Sequence, residues 1–306
     1  MRVCLMIEGQ EGVTWEHWQA LARTAEEAGL DALFRSDHYS AIIRPVAGAL
    51  DAWTTLAALA AVTSRIRLGT LVSPATFRHP SVLARMATTV DHISGGRVEV
   101  GMGAGWYERD HTENGFPLLD AKARFELFAE QVEIAVRTWM EKGVDYLGEH
   151  YTLHAQTALP TPVQQPHPPL ILGGRAKPRA ATLAARFATE YNTLGASLDE
   201  LRQRRRRLEA ACAAVGRDPA TLGYSLMTTC VIGVDRAEVD ERTRRVSQLL
   251  GGERPTENWL AGTVDELAAR LRELASAGIS GVMLQHLDHT DLAAVATMGE
   301  LAHAVR

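Results

Sequence analysis

Arg97-Val98-Glu99-Val100-Gly101-Met102-Gly103-Ala104-Gly105-Trp106 begins as a short apolar strand and runs out into glycine. Successive strand residues point to opposite faces, so Gly101, Gly103 and Gly105 strip one face of side chains. A bare strand face marks a close approach, by a ligand or by another stretch of backbone. A flat ring or a phosphate fits the first reading. Tight packing of a neighbouring element fits the second.

Outward from this strand, β-compatible runs alternate with helical patterns along the whole chain. Arg2–Glu8 is followed by a helix at Thr14–Ala28, with Thr14 placed to cap it and Gly29 to end it. Leu30–Arg35, Ile66–Ser73 and Arg97–Ala104 are the next strands, with helices at Ala52–Val62, Ser81–Ile93 and Ala121–Lys142. The third strand is expected to stop at Pro74, and Trp106–Pro117 to form a loop. Asp145–Leu153 predicts a hairpin, and five of the twelve prolines between Pro160 and Pro169 predict an extended connector. Strands then recur at Pro169–Leu172, Ala188–Thr193, Gly223–Val234 and Ile279–Gln285, with helices at Ala180–Arg186, Leu198–Val215, Ala237–Leu250, Val264–Ala277 and Asp291–Val305. Ser197 with Glu200, and Thr263 with Glu266, have the spacing of capping boxes.

Eight strands, each followed by a helix, predict an α/β fold: a closed (β/α)8 TIM barrel in one domain, 1–306. Additions are expected after the fourth and seventh strands, at about 105–120, 143–168 and 251–262. An open doubly wound sheet is the alternative architecture. Eight-fold count, a terminal helix and the lack of a nucleotide fingerprint favour closure.

Composition narrows the class of function. A net charge of −5 and 6% aromatic residues give no basic or stacking platform for nucleic acid or an anionic membrane. Cys4, Cys212 and Cys230 lack metal or CxxC spacing, and no signal-peptide pattern opens the chain. A soluble cytoplasmic protein with buried thiols is therefore expected.

In such barrels chemistry gathers at the carboxyl ends of the strands. Read in order, those ends carry Glu8, Asp37-His38, Thr70 to Pro74, Gly103-Ala104-Gly105-Trp106, Gly173-Gly174-Arg175, Asn192 and Gln285-His286. Each has a bland alternative. Asp37 suits the cap of a helical turn, His38 a solvated loop, and Glu8 an ion pair with an arginine. Gly173-Gly174-Arg175 reads as a tight turn or as an anion nest, and a phosphate site in the barrel's second half favours the nest.

Other chemistries find less support. GxGxG lacks the spacing of a dinucleotide fingerprint, and among eleven histidines there is no HxH after the first strand and no HExxH. No metal is expected. Arg204 to Arg207 lie mid-helix with Glu200 and Glu209 nearby, which predicts a solvated face.

Taken together, Ser36-Asp37-His38, Gly69 to Pro74, His92 to Arg97, Gly101 to Trp106, Leu159-Pro160 with Pro162-Val163-Gln164, and Pro168-Pro169 with Gly173-Gly174 resemble the bacterial luciferase-like superfamily of flavin and deazaflavin barrels. The opening Met6 to Gly12 is similar to its F420-dependent oxidoreductase subgroup. The resemblance implies coenzyme F420, or alternatively FMN, lying over the barrel mouth, flanked by Asp37 and His38. It implies a non-proline cis peptide at Thr70–Leu71, within one residue, behind the ring. Gly103, Ala104, Gly105, Gly173, Gly174, Arg175 and Asn192 are then expected to hold the cofactor, His38 and Glu8 to act as acid–base groups, and Trp106 and His286 to face the substrate. A homodimer acting on a small molecule is expected by the same analogy.

Overall fold

The computed structural model describes residues 1–44, 47–252 and 258–306. The chain opens with β1 (Arg2–Ile7), α1 (Trp15–Glu27), β2 (Ala32–Arg35) and α2 (Ala52–Val62). It continues through β3 (Arg67–Thr70), a two-residue extension β4 (Ser73–Pro74), α3 (Pro80–Ser94) and β5 (Val98–Gly103). An excursion follows: α4 (Glu108–Asn114), α5 (Ala121–Met140) and the hairpin β6 (Gly143–Leu147) with β7 (Thr152–Thr157). The second half comprises β8 (Leu170–Gly173), α6 (Pro178–Phe187), β9 (Glu190–Leu194), α7 (Leu198–Ala214) and β10 (Gly223–Gly233). It ends with α8 (Arg236–Leu249), β11 (Leu260–Thr263), α9 (Val264–Ser276), β12 (Gly281–Gln285) and α10 (Leu292–Ala304).

The parallel strands run β1-β2-β3-β5-β8-β9-β10-β12, and β12 pairs back onto β1 with Arg2 opposite Gly281. The sheet is thus a closed eight-stranded barrel ringed by helices, the architecture the alternating pattern predicts. Four points differ from that pattern. The third strand ends at Pro74 as expected but is not continuous up to it: it breaks at Leu71–Val72, where a cis peptide bond lies within one residue of the expected place, and resumes as β4 beside β5. The stretch after Trp106 is not loop throughout but contains α4. The seventh strand is extended by pairing with the short β11, so the expected addition at 251–262 ends in sheet; residues 253–257 of it lie outside the described residues. Arg204 does not face water but is buried, donating to Thr193 Oγ1 at 2.6 Å and to the Leu194 carbonyl.

The alternation of strand residues decides what lies inside. On β1, Val3, Leu5 and Ile7 join the main apolar core between sheet and helices. Cys4 and Met6 join a smaller cluster with Ala32, Phe34, Ile171 and Met283 within the barrel. Extending that parity places Arg2 at the base of the barrel and Glu8 at its mouth. At the base, Arg2 Nη2 reaches Glu99 Oε1 at 2.5 Å and Nη1 reaches Glu190 Oε2 at 3.3 Å, while Arg67 also pairs with Glu99. This ionic plug closes the amino-terminal end.

Both expected capping boxes are present, at Ser197–Glu200 and Thr263–Glu266. Cys4, Cys212 and Cys230 are free and buried. Among the described residues no helix is long and apolar enough to cross a membrane.

Candidate functional site

A cavity of about 450 Å³ occupies the carboxyl-terminal mouth of the barrel. Its floor includes Leu71, Val72 and Met227; Glu8, His38 and Trp106 stand on its walls. The size and the mixture of apolar floor with a few polar groups are those of a small-molecule site.

The glycine-rich strand turns out to serve both readings of a bare face. A methyl group on Gly103 would lie 2.6 Å from Val72 Cγ2, and one on Gly101 would overlap the Thr70 carbonyl oxygen. Those two glycines therefore admit the bulge between β3 and β4 rather than a ligand. Val72 is carried over the barrel axis, where a methyl on Gly173 would also touch it, at 3.6 Å. The main chain of Gly103, Ala104, Gly105, Gly173 and Gly174 still lines the cavity. What a ligand meets is an apolar floor made by Val72, bordered by exposed backbone.

His38 follows β2 and lines the cavity. Its Nδ1 lies 2.5 Å from Oδ2 of Asp110, a residue of α4 with no solvent exposure. The other oxygen of Asp110 accepts the Tyr39 and Ser40 amides at 3.0 and 2.7 Å. Burial works against a charged imidazole, yet the hydrogen bond and charge of Asp110, with Glu8 and Asp37 further off, raise the His38 pKa above its ordinary value. Asp110 is itself buried, and the same bond with the two amides holds its pKa below the usual carboxylate range. Facing an ionised carboxylate, Nδ1 carries the proton, and Nε2 has no protein partner among the described residues. The edges of Trp106 and Tyr107 pack on the imidazole, with centroids 6.0 and 5.8 Å away.

Among the described residues Glu8, at the top of the β1 column, pairs with no arginine. Gln285 Nε2 donates to Oε1 at 2.6 Å and Gln10 Nε2 to Oε2 at 2.9 Å. Gln10 is locked in turn by Ser36, whose hydroxyl donates to it at 2.5 Å and accepts from the Gly9 amide at 3.0 Å. Two amide side chains thus fix a carboxyl group at the cavity wall. Asn192, from β9, also lines the cavity and donates to Ser225 Oγ at 2.9 Å.

Four expected residues stand elsewhere. Asp37 does not line the cavity: it is buried, paired with Arg78 at 2.6 Å, and accepts from Ser73 Oγ, which the Trp53 indole also engages. It holds the β3–β4 bulge in place from behind. Thr70 is likewise buried, its hydroxyl donating to the Gly101 carbonyl at 3.0 Å. His286 does not face the substrate side. Met283 and Gln285 point inward, so His286 points outward, 4% exposed, with Nε2 3.1 Å from the Asp291 carbonyl. Burial pushes its pKa down. Arg175 is exposed and lines a neighbouring cavity beside the start of α6.

Sequence reasoning missed Asp110, Gln10 and Val72. A signal existed for the first: Glu108 and Asp110 in a first turn and Gly115 at φ +72 after the last one mark a short helix. That two oxygens of Asp110 seize the loop after β2 has no local signature.

The cavity, with an apolar floor at Val72 bordered by main chain and a few polar side chains, has the form of a site for a small organic ligand. A family model for luciferase-like monooxygenases matches residues 3–254. Uncharacterized proteins of Mycobacterium tuberculosis and Mycobacterium bovis are 35% identical over 169 residues, a stretch spanning 55% of this chain and 58% of theirs. The match thus covers somewhat over half the length of those curated relatives. Among solved structures, an F420-dependent secondary alcohol dehydrogenase bound to an F420–acetone adduct superposes with TM-score 0.84 at 20% identity, covering 100% of this chain and 99% of that one. The monooxygenase RslO1 from Streptomyces bottropensis gives 0.82 at 25% identity, covering 98% and 97%.

Proposed function

This chain belongs to the luciferase-like monooxygenase family, and from that premise we propose that it is an oxidoreductase moving a hydride between coenzyme F420 and a small organic substrate. When bound, the deazaflavin supplies the ring carbon that gives or takes the hydride. The protein's part is to position the reactants and manage the proton.

The observation that carries this reading is the His38–Asp110 pair at the cavity edge. Oxidation of an alcohol sends a hydride one way and the hydroxyl proton another; reduction of a carbonyl needs the reverse. His38 Nε2, unpartnered and beside the cavity, is the group for that proton. Asp110 keeps the imidazole in one tautomer and stabilises its charged form, in the manner of an orienting carboxylate. Glu8, fixed by Gln10 and Gln285, is the second acid–base candidate. Val72 and Leu71 support the ring, backbone at Gly103–Gly105 and Gly173-Gly174 receives the tail, and Trp106, 63% exposed, closes over the substrate side.

Support for F420 comes from the opening Met6 to Gly12 and from the alcohol dehydrogenase that shares the fold over its full length. A second reading, an FMN-dependent monooxygenase, is favoured by RslO1, whose 25% identity exceeds the dehydrogenase's 20%. Titration of the purified protein with F420 and with FMN separates them. The proposal expects saturable F420 binding and F420-linked turnover of alcohols or carbonyls. Exclusive binding of FMN, with oxygen consumption when reduced FMN is supplied, overturns it in favour of the second reading.

A further inference from the structure

Arg35 is the last residue of β2 and has no exposed surface. Ala32 and Phe34 face into the barrel, so Leu33 and Arg35 point outward, towards the helices. The guanidinium lies over the Trp18 ring of α1, 4.7 Å from its centroid. Its nitrogens are accounted for without a carboxylate. Nε donates to the Ser36 carbonyl at 3.1 Å, Nη2 donates to the Leu50 carbonyl at 2.9 Å, and Nη1 has no partner among the described residues. Burial pushes the pKa down to about 10, with the charges of Asp37, Asp51 and Glu8 opposing, so the group stays charged at neutral pH.

Stability gives no account of this group. A buried charge without a counter-ion costs free energy, and an apolar side chain of similar volume in its place is often neutral or stabilising. Position gives one. Ser36 and Leu50 are the two ends of the segment that carries His38 and the cavity-wall residues Ile42 and Ile43. One side chain thus holds both ends of that segment, while Asp110 and Glu11 hold its middle. The same guanidinium meets the loop after β1. A methyl group on Gly9 would overlap Arg35 Nη2, so a glycine there lets the two approach. Gly9 and Gln10 are in turn fastened to the Ser36 hydroxyl, and Gln10 to Glu8. Both acid–base candidates therefore hang from backbone that Arg35 fixes.

Resting on the acid–base roles assigned above, we propose that Arg35 is a positioning residue, setting where His38 and Glu8 stand relative to a bound substrate at some cost in stability. It does not line the cavity. What it supplies is placement, and an error of about 1 Å in the placement of a reacting group costs about 10²-fold in rate.

The test is Arg35→Met, which keeps an extended side chain and removes its charge and donors. The melting temperature is expected to stay level or rise. Hydrogen exchange is expected to quicken about tenfold at amides 38–44 and to stay unchanged in the barrel strands. The NMR signal of the His38 Nδ1 proton is expected to broaden, and F420-linked kcat to fall about 10²-fold with F420 affinity unchanged. A variant that fails to fold, or melts well below the wild type, makes Arg35 a structural residue and overturns the proposal. Wild-type kcat, or exchange that quickens equally everywhere, overturns it too. The exchange and NMR readouts need no cofactor. If they move as expected while neither protein turns over with F420, the deazaflavin reading falls and the placing of the loop by Arg35 stands.

Discussion

Asp110 Oδ2 and His38 Nδ1 lie 2.5 Å apart although 72 positions separate them in the chain. Asp110 comes from a helix inserted after the fourth barrel strand, His38 from the loop after the second. The same carboxylate fixes the Tyr39 and Ser40 amides, so one residue sets both the orientation and the charge of the imidazole. Glu11 completes the restraint on this loop by accepting the amides of Ile42, Ile43 and Arg44.

Replacement of His38 by alanine is expected to lower kcat by about 10²–10⁴-fold, the usual contribution of a positioned acid–base group. Cofactor affinity is expected to change little, because the ring rests on Val72 and backbone. Steady-state kinetics and cofactor titration on the same preparation check this; equal losses in both count against proton transfer by His38.

Asp110→Asn retains an oxygen for the two loop amides but removes the charge. Burial then dominates at His38, and its pKa falls. The limb of the pH–rate profile that reports His38 moves to lower pH, and an NMR titration of the imidazole moves with it. The sign for stability follows. A raised histidine pKa stabilises fully below the unfolded value of 6.5 and loses this as pH rises through the folded value. A depressed aspartate pKa stabilises above 3.8 and loses this as pH falls through the folded value. The gap in urea midpoint between wild type and Asp110→Asn is therefore widest from 3.8 to 6.5 and narrows in alkali. An unchanged gap across that range contradicts the pairing.

Gly103→Ala puts a methyl group into Val72 and is expected to cost about 1–3 kcal/mol, the range for overpacking a filled core. Gly48→Ala, with no described residue within 4 Å, is the control. The double variant Gly103→Ala/Val72→Ala recovers part of the loss if the contact is the cause, which a thermal-denaturation double-mutant cycle measures.

Asp37→Ala leaves the buried guanidinium of Arg78 short of a partner. Asp51, at 2.9 Å from Arg78, remains, so the loss is expected at the lower end of the roughly 3–5 kcal/mol range for breaking a buried pair. Chemical denaturation checks this. A stable variant whose only defect is in kcat restores a direct role for Asp37.

The barrel was legible because two periods alternate along the chain: eight β-compatible runs, each followed by a helical face, need no long-range information. Strand parity is legible too, and it separates neighbours: Met283 and Gln285 point inward, so His286, beside Gln285, lies outside. Asp37 beside His38 illustrates the same separation, since two adjacent residues face an arginine and a cavity respectively. Asp110 and Gln10 were not legible for a different reason. Their roles rest on contacts that tertiary folding creates, and a carboxylate in a surface-like helix of seven residues has no spacing that announces its target. Val72 escaped because the glycines opposite it admit either a ligand or a backbone, and only coordinates show which.

Among the described residues the ionic cluster of Arg2, Glu99, Arg67 and Glu190 fills the amino-terminal end of the barrel, and the cavity opens at the other end. A ligand on the Val72 floor is then expected to enter before a partner stacked above it and to leave after that partner. Last in, first out is thus built into the architecture, and initial-rate patterns for this protein should display a compulsory sequence of arrival.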